Sequence, residues 1–210
     1  MPPNDSGAPT DSGAPIDRGR IEAAVAEILA AIGEDPRRPG LETTPQRVAQ
    51  AYTEFFSGIG VDPAVHLADT VELQLGDDEL GDLVLLRDID FRSVCEHHLL
   101  PFIGVAHVAY APRTRVVGLG KLPRVVETLA SRPQVQERLT EQIADALQEG
   151  LDPLGVLVVL EASHSCVSTR GVRQVSSTTV TMASRGTLSD PVARAETMAL
   201  IGAASRGGLG

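Results

Sequence analysis

The sequence has few aromatic residues, only two cysteines and no tryptophan. Aromatic side chains make up 3% of its 210 residues, which leaves few platforms on which the bases of a single strand could stack. The formal net charge is −10, so there is no surplus of Lys and Arg to neutralise a phosphate backbone. These shortages exclude a general nucleic-acid binder. Any anionic ligand must therefore meet a local cluster of basic side chains.

Long apolar runs are also missing from the chain. No segment approaches the roughly 20 apolar residues that a membrane span needs. The first residues, MPPNDSGAPT, lack the basic and apolar regions of a secretory signal. We therefore expect a cytoplasmic protein with no membrane partner. In that compartment the two thiols should stay reduced rather than form a disulfide.

Four segments are predicted along the chain. Residues 1–19 repeat DSGAP and are rich in Pro, Gly and Ser, which predicts a disordered leader. Residues 20–66 show apolar residues at helical spacing and form an N-terminal helical region, in which Thr44 is the predicted N-cap of the second helix. Residues 67–205 form the main domain, and the hydrophobic content of 42% is enough for one substantial core. Residues 206–210 are predicted to be a flexible tail.

The main domain contains both strand and helix patterns. β-branched or alternating runs predict antiparallel strands over 71–75, 83–94, 105–111, 115–119, 156–162 and 175–182. Helices are predicted to begin at Pro123, within the Ser-Arg-Pro segment 131–133 and near Pro191. Because strands lie on both sides of a helical pair without regular alternation of strand and helix, an α+β fold is predicted.

Both cysteines lie beside histidines, in Cys95-Glu96-His97-His98 and in His164-Ser165-Cys166. A single cysteine is most often a small buried apolar residue. Here, however, the two clusters together offer thiolates and imidazoles, which are the ligands that Zn²⁺ prefers. Two Cys and one His would leave the fourth tetrahedral position open for water, as in catalytic zinc sites. The pattern therefore predicts a metal site that supports catalysis.

The spacing alone does not say which histidine completes the ligand set. His97, His98 and His164 all lie within three residues of a cysteine, and a tight turn in Cys-x-x-His favours His98. In that case His97 and His164 remain free beside the zinc, where imidazoles of near-neutral pKa can act as general acid and base. A zinc-bound water, with its pKa lowered to about 7, would be the nucleophile.

A local basic cluster accompanies the predicted metal site. Lys121 and Arg124 flank the start of a predicted helix, and Arg170 and Arg173 follow Cys166 closely. Such cations suit a polyphosphate. For Arg173, a solvated surface charge is an equally good interpretation.

The segment Gly118-Leu119-Gly120-Lys121 superficially suggests a phosphate-binding P-loop. Arg115 occupies the position of the first glycine of that motif, and Leu122 occupies the position of its Ser or Thr. A P-loop is therefore rejected.

Taken together, these motifs resemble the GTP cyclohydrolase I family from about Ile21 to Ile201. The matching motifs are Cys95-Glu96-His97-His98, GLGKL at 118–122, RPQVQERLT at 132–140, His164-Ser165-Cys166 with Arg170-Gly171, and TPQRVA at 44–49. The resemblance implies the tunnelling fold, with antiparallel sheets backed by helices and joined edge to edge into rings. It also implies a homo-oligomer, a decamer of two stacked pentameric rings with active sites at subunit boundaries. Residues 67–205 would be the tunnelling-fold catalytic domain.

The resemblance further implies a role for each residue of the site. Cys95, His98 and Cys166 would hold Zn²⁺, and His97 and His164 would handle protons. Glu137, helped by Gln136, would bind the guanine of the substrate GTP. The triphosphate would be held by Lys121, Arg124, Arg170 and, from a neighbouring subunit, Arg47.

The reaction implied by the resemblance is hydrolysis of GTP at C8, release of formate and rearrangement to 7,8-dihydroneopterin triphosphate, the first step of folate and pterin biosynthesis. No redox cofactor is needed. One departure from the family is Gly120, where a Ser is common. Two alternatives follow: a paralogue that stops at a ring-opened or formamide intermediate, and a non-catalytic, zinc-stabilised nucleotide-binding scaffold.

Overall fold

The structure is a computed structural model that describes residues 16–73 and 82–204. The predicted disorder of the leader up to residue 15 and the predicted flexible tail, 206–210, lie outside these residues. The chain divides after Val61 into two compact units. In the part of the chain that is described, no helix is long and apolar enough to cross a membrane.

The first unit contains two helices, α1 (Arg18–Ala31) and α2 (Thr44–Phe55). The carboxylate of Asp17 caps α1 by accepting a hydrogen bond from the backbone N–H of Arg20 at 3.0 Å. In α2 the buried side includes Ala49, and Tyr52 packs edge-on against Phe56 just beyond the helix. The predicted helical pair is therefore present.

The predicted N-cap of α2 is wrong by one residue. Thr43 occupies that position, and Thr44 is already helical. The reason is local: the backbone N–H of Thr44 donates to the carbonyl of Leu41 at 2.9 Å, so the turn before the helix already uses this residue. Pro45 remains in the first turn, where its missing N–H costs nothing.

The second unit is built on a five-stranded sheet with helices packed against it. The strands are β1 (Thr70–Glu72), β2 (Val84–Cys95), β3 (Pro101–Ala111), β4 (Arg115–Val117), β5 (Pro133–Gln134), β6 (Gly155–His164) and β7 (Thr179–Gly186). The helices are α3 (Lys121–Ala130), α4 (Gln136–Leu151), α5 (Ser165–Ser168) and α6 (Pro191–Ala204), with short 3-10 turns at Pro63–His66 and Thr187–Ser189. The sheet order is β5-β2-β3-β6-β7, and β1 pairs separately with β4. All pairings are antiparallel except the short one between β2 and β5, which confirms the α+β class.

Two clusters of buried side chains cover the two faces of the sheet. The larger joins β2, β3 and β6 to α3 and α4, and it includes Phe91, Phe102, Val125, Leu139 and Ile143. The smaller includes Ala109, Leu157, Val159, Leu188 and Ile201. Burying each large apolar side chain stabilises the fold by about 1.5–3 kcal/mol. The central strands are thus held from both sides, which fixes where they end.

Close contact between β3 and β6 depends on a glycine. A Cβ on Gly104 would lie 2.0 Å from the backbone oxygen of Glu161, so any larger residue would force the strands apart. The resulting register pairs Phe102 with His164. The end of β6 therefore meets the start of β3.

Two predicted elements begin at the wrong residue. The helix predicted from 131–133 begins at Gln136, because Pro133 and Gln134 instead pair with β2. The last strand begins at Thr179 rather than at 175. Residues 174–177 form a turn instead, in which the hydroxyl of Ser177 donates to the backbone carbonyl of Gln174 at 2.9 Å.

Other boundaries also differ by a few residues. β3 begins at Pro101 rather than 105, α3 at Lys121 rather than 123, and β4 ends at Val117 rather than 119. These differences matter for the site. The earlier start of β3 places Phe102 within the sheet, opposite His164.

Candidate metal centre and active site

The loop between β2 and β3 places Cys95 and His98 together. The backbone N–H of Cys95 donates to the carbonyl of Leu100 at 2.9 Å, and the N–H of Leu99 donates to the carbonyl of Cys95 at 2.8 Å. Leu99 has a positive φ of 53°. These features close a tight turn in which the Cys-x-x-His spacing lets both side chains point to one place.

Cys166 reaches the same place from β6. It is the second residue of α5, which begins directly after His164, the last residue of that strand. The sulfurs of Cys95 and Cys166 and a ring nitrogen of His98 lie within 4.8 Å of one another. Both cysteines are free thiols. The structure therefore gathers the three predicted ligands at one point and selects His98 over the other two histidines.

The electrostatics of this cluster suit a cation. Burial raises the pKa of the Cys166 thiol, and the neighbouring Cys95 raises it further, while Arg170 acts weakly in the opposite direction. Two adjacent thiols resist carrying two negative charges, because like charges disfavour ionisation. A divalent metal ion removes this penalty, and two sulfurs with one imidazole nitrogen are donors that zinc prefers. The residues present thus fit the metal predicted from the sequence.

His164 is held on two sides beside this cluster. Its ring stacks on Phe102, with centroids 4.6 Å apart and planes inclined by 3°. Its Nε2 lies 2.7 Å from Oε1 of Gln136. Burial lowers the pKa of His164, and Glu137 opposes this shift. The imidazole is therefore poised to be neutral near neutral pH.

His97 has a different environment. Its side chain is 65% exposed, and its Nε2 lies 3.9 Å from the carboxylate of Glu96. Its ring is nearly perpendicular to that of His98, at a centroid distance of 6.3 Å. An exposed imidazole next to the metal-ligand turn can reach a substrate without displacing protein atoms.

An ion pair anchors this turn, and sequence reasoning did not identify it. Glu96 and Arg138 are paired through their side chains, and Arg138 also donates from Nε to Oε1 of Gln134 at 3.2 Å. The backbone N–H of Glu96 donates to the carbonyl of Gln134 at 3.0 Å. Glu96 and Arg138 each lie within a motif that matches the family. Their opposite charges were the one signal in the sequence that could have indicated the pair. Phe102 was also missed, because a core phenylalanine carries no signal of a site.

Three of the residues predicted to bind the substrate line two open clefts. Glu137 is exposed and lines a cleft of about 350 Å³ together with Thr140, Thr181 and Met182. Lys121 and Arg124 line a cleft of about 250 Å³ with the segment Gly118 to Gly120. The Nζ of Lys121 lies 3.7 Å from Asp69, an ion pair that an anionic ligand would have to displace.

The other residues predicted for the site are not among those that line these two clefts. Arg170 is exposed just beyond α5 and is near enough to influence the Cys166 thiol. Arg173 is also exposed, in the loop before β7. Arg47 is exposed on α2, in the first unit. Gln136, by contrast, is buried and only 1% exposed.

An antiparallel sheet backed by helices, with two thiols and an imidazole gathered at its strand ends, defines an α+β protein with a candidate metal site. The imidazoles of His97 and His164, which are not part of this cluster, can act as acid and base. The model of the family described as GTP cyclohydrolase I matches residues 21–202. This chain belongs to that family, and its fold is the tunnelling fold.

Curated relatives support this assignment over most of the chain. A protein of Leifsonia xyli subsp. xyli named GTP cyclohydrolase 1 is 64% identical over 88% of this chain and 95% of its own length. A protein of the same name from Carboxydothermus hydrogenoformans is 56% identical over 87% of this chain and 94% of its own length. Among solved structures, the archaeosine synthase QueF-Like in the apo form has a TM-score of 0.40 and 18% identity, covering 50% of this chain and 93% of that one. The assignment rests on the sequence matches.

Proposed function

We propose that this protein catalyses the GTP cyclohydrolase I reaction. It hydrolyses GTP at C8, releases formate and rearranges the remainder to 7,8-dihydroneopterin triphosphate, the first step of folate and pterin biosynthesis. The observation that carries the proposal is the convergence of Cys95, His98 and Cys166 within 4.8 Å, in a chain that belongs to this family. His97 and His164 beside that point supply the proton chemistry.

Cys95, His98 and Cys166 are the residues that would hold Zn²⁺. When bound through three protein ligands, zinc supplies Lewis acidity and lowers the pKa of a coordinated water to about 7. The buried Cys95, which is 6% exposed, keeps one side of the centre out of solvent. His98 is exposed, so the other side of the centre is open to a substrate.

The two remaining imidazoles divide the proton transfers. His97 is exposed and protonates N7 of the purine while C8 is attacked, because a proton on N7 makes the ring open more readily. His164 is buried against Phe102 and is kept neutral by burial, so it can accept a proton and return it in a later step. General acid and base catalysis of this kind contributes roughly 100- to 10,000-fold.

Glu137 recognises guanine. Its exposed carboxylate lines an open cleft and offers acceptors that match the N–H donors of the guanine edge. Adenine would leave this carboxylate unpaired, so a site built on it rejects ATP. Gln136, the predicted helper, has its side-chain amide bonded within the protein.

The triphosphate is held by cationic side chains in an otherwise acidic protein. Lys121, Arg124 and Arg170 come from one subunit, and Arg47 comes from a neighbouring subunit. This division requires a homo-oligomer, which we assign as a decamer of two pentameric rings with sites at subunit boundaries. The protein works in the cytoplasm.

The domain limits predicted from the sequence are retained in this proposal. Residues 67–205 form the tunnelling-fold catalytic domain, and residues 20–66 form the N-terminal helical region that carries Arg47. Helix α1 begins at Arg18, which is two residues before the predicted limit.

The rival functions are less well supported. A non-catalytic scaffold would not need His97 and His164, two imidazoles outside the metal-ligand group. In a paralogue that stops at an intermediate, the cause would be the absence of a serine hydroxyl at Gly120. A Cβ built on Gly120 meets no described atom within 4 Å, so the glycine leaves space in the cleft and does not reshape the backbone. Family membership favours the complete reaction.

The test combines metal analysis with product analysis. The purified protein is assayed for zinc per chain and incubated with GTP; the products are then oxidised, dephosphorylated and examined for neopterin fluorescence and formate. We expect zinc, formate and neopterin together. Formate without a pterin would contradict the complete reaction.

Repeating the assay with Gly120→Ser tests the one departure from the family. Because the site is open and one hydrogen bond contributes about 0.5–1.5 kcal/mol, we expect normal folding and a rise in kcat/KM of about two- to tenfold. Gly202→Ser is the matched control, because a Cβ there also meets no described atom within 4 Å and Gly202 lies on α6. It should leave kcat/KM unchanged. A fall in kcat/KM on Gly120→Ser would show that the glycine is needed.

A further inference from the structure

Gln136 has a buried side chain whose orientation is set by its surroundings. It is the first residue of α4, and its amide extends to the interior of β6 and the start of β7. Nε2 lies 3.1 Å from the carbonyl oxygen of Leu160, 2.9 Å from that of Thr179 and 3.1 Å from Oγ1 of Thr181. Carbonyl oxygens only accept, so the NH₂ group must face them. The amide oxygen, Oε1, is therefore the atom that faces His164.

This orientation decides which nitrogen of His164 carries the proton. Oε1 of Gln136 can only accept, and it lies 2.7 Å from Nε2 of His164. Nε2 must then carry hydrogen and donate it. A neutral imidazole has one N–H, so Nδ1 has a free lone pair.

Two threonines extend this directional network. Oγ1 of Thr140 donates to the backbone carbonyl of Gln136 at 2.7 Å. It has then used its one hydrogen, so Oγ1 of Thr181, 2.6 Å away, must donate to it. Thr181 in turn accepts from Nε2 of Gln136. A reversed amide would place Oε1 against two carbonyl oxygens, and leaving buried polar groups without partners costs about 1–3 kcal/mol each.

Phe102 restrains the same imidazole in a second direction. Its side chain is 1% exposed, and its parallel ring fixes the plane of the His164 ring. The bond to Gln136 then fixes rotation within that plane. Stacking and hydrogen bonding together leave the imidazole one orientation.

We propose that Gln136 is a positioning residue that holds His164 as the Nε2–H tautomer, so that Nδ1 is the nitrogen that takes a proton from the reacting substrate and returns it. This inference rests on the proposed function, in which His164 carries protons. When Nδ1 accepts the proton, the Nε2–H bond to Gln136 persists and supports the imidazolium. When Nδ1 returns the proton, the starting tautomer is restored with no rearrangement. Gln136 therefore serves the chemical step, and Glu137 alone reads the guanine edge through a side chain.

Gln136→Met is the direct test, because Met is similar in length but neither donates nor accepts as an amide does. Removing the partner that orients a metal-bound histidine typically costs about 10- to 100-fold, and we take the same range for this proton-carrying histidine. We expect that loss in kcat, with KM for GTP changed by less than about threefold and with zinc per chain unchanged. A normal kcat with a raised KM would instead assign Gln136 to guanine binding and overturn the proposal.

A milder variant covers the case in which Gln136→Met does not fold. Thr181→Val removes one acceptor of the amide and the donor to Thr140 but keeps the volume and both carbonyl acceptors. We expect kcat to fall about two- to fivefold, since one neutral hydrogen bond contributes about 0.5–1.5 kcal/mol. Thr197→Val is the matched control, because Thr197 is 2% exposed and donates within α6 to Ala193. Equal kcat values in the two variants would overturn the role of the threonine network.

The tautomer itself can be observed without turnover. ¹⁵N NMR of histidine-labelled holoenzyme, in buffer basic enough to keep imidazoles neutral, should show His164 protonated at Nε2 and not at Nδ1. The His164→Asn protein, in which this signal disappears, provides the assignment. A proton on Nδ1 would overturn the proposal even in an active enzyme. If the wild-type protein does not convert GTP, the proposed function fails, whereas the tautomer measurement still decides the role of Gln136 in orienting His164.

Discussion

The candidate site has a buried half and an exposed half, and the fold holds them differently. In the buried half, Cys95 ends a central strand at 6% exposure, and His164 is fixed between Phe102 and Gln136. In the exposed half, Arg124 and Arg170 point into solvent with no comparable packing.

The difference fits what each half is proposed to do. Ligands of a metal and a proton carrier must hold their positions to a fraction of an ångström, and strand ends within a packed core provide that accuracy. Cations that meet a triphosphate act over several ångströms. Lys121 illustrates the second case, because its ammonium is paired with Asp69 until an anion competes for it. The buried half is built in advance, and the exposed half is completed by the ligand.

The largest expected effect comes from breaking the buried half. Cys166→Ser should abolish stoichiometric zinc binding and lower GTP turnover at least about a thousandfold, because a catalytic metal contributes several kcal/mol. Zinc per chain and product formation measure both losses. Ser168→Ala, in the same short helix, should keep zinc and turnover. A Cys166→Ser protein with full zinc content would show that the thiolate is not a ligand.

The next effect separates chemistry from metal binding within the site. His97→Ala should keep zinc content and assembly but lower C8 hydrolysis by about 100- to 10,000-fold, the range for loss of a general acid. Formate release measures this step. His66→Ala is the control, because the His66 ring bonds Thr128 through Nε2 at 2.8 Å and has no proposed role. Turnover by His97→Ala equal to that of the control would remove the proton-donor role.

A smaller effect belongs to guanine recognition in the exposed half. Glu137→Gln loses a charged acceptor, and hydrogen bonds to charged groups contribute about 1.5–3 kcal/mol, so kcat/KM for GTP should fall about 10- to 100-fold. Steady-state kinetics measure this, with Glu149→Gln on the same helix as the control. If both variants behave alike, Glu137 does not read the base.

Removing the ion-pair partner of Lys121 in the exposed half should have the smallest effect. Asp69→Asn frees Lys121 for the triphosphate, and exposed ion pairs contribute about 0–1 kcal/mol, so KM for GTP should fall about two- to threefold at low salt. High salt screens exposed charges and should remove the difference. A KM that rises in Asp69→Asn would mean that the carboxylate itself helps to bind substrate.

Periodicity predicted most elements but failed where distant contacts decided the local structure. The apolar spacing of α1 and α2 was sufficient, because each helix has its own pattern. The start of α4 was not, because Pro133 and Gln134 pair with β2 about forty residues earlier in the chain. A local pattern contains no information about such a partner.

The site shows the same division. Thiols beside imidazoles predict a metal site from the sequence, because few other roles bring these residue types together. The contacts that orient the site join residues far apart in the chain: 28 positions separate Gln136 from His164, and 42 separate Glu96 from Arg138. A glutamine in a helix and a phenylalanine in a strand carry no such signal on their own.

The residue order alone was enough to predict the available chemistry: two thiols, clustered imidazoles, a carboxylate proposed for guanine and cations proposed for phosphate, on elements whose type follows from apolar spacing. Contacts between distant residues were needed to bring His98, and not His97 or His164, to a common point with both sulfurs and to turn Nε2 of His164 toward Gln136. The physical reason is strand register. The pairing of β3 with β6 brings their ends together, and buried hydrogen-bond donors and acceptors must then find partners there.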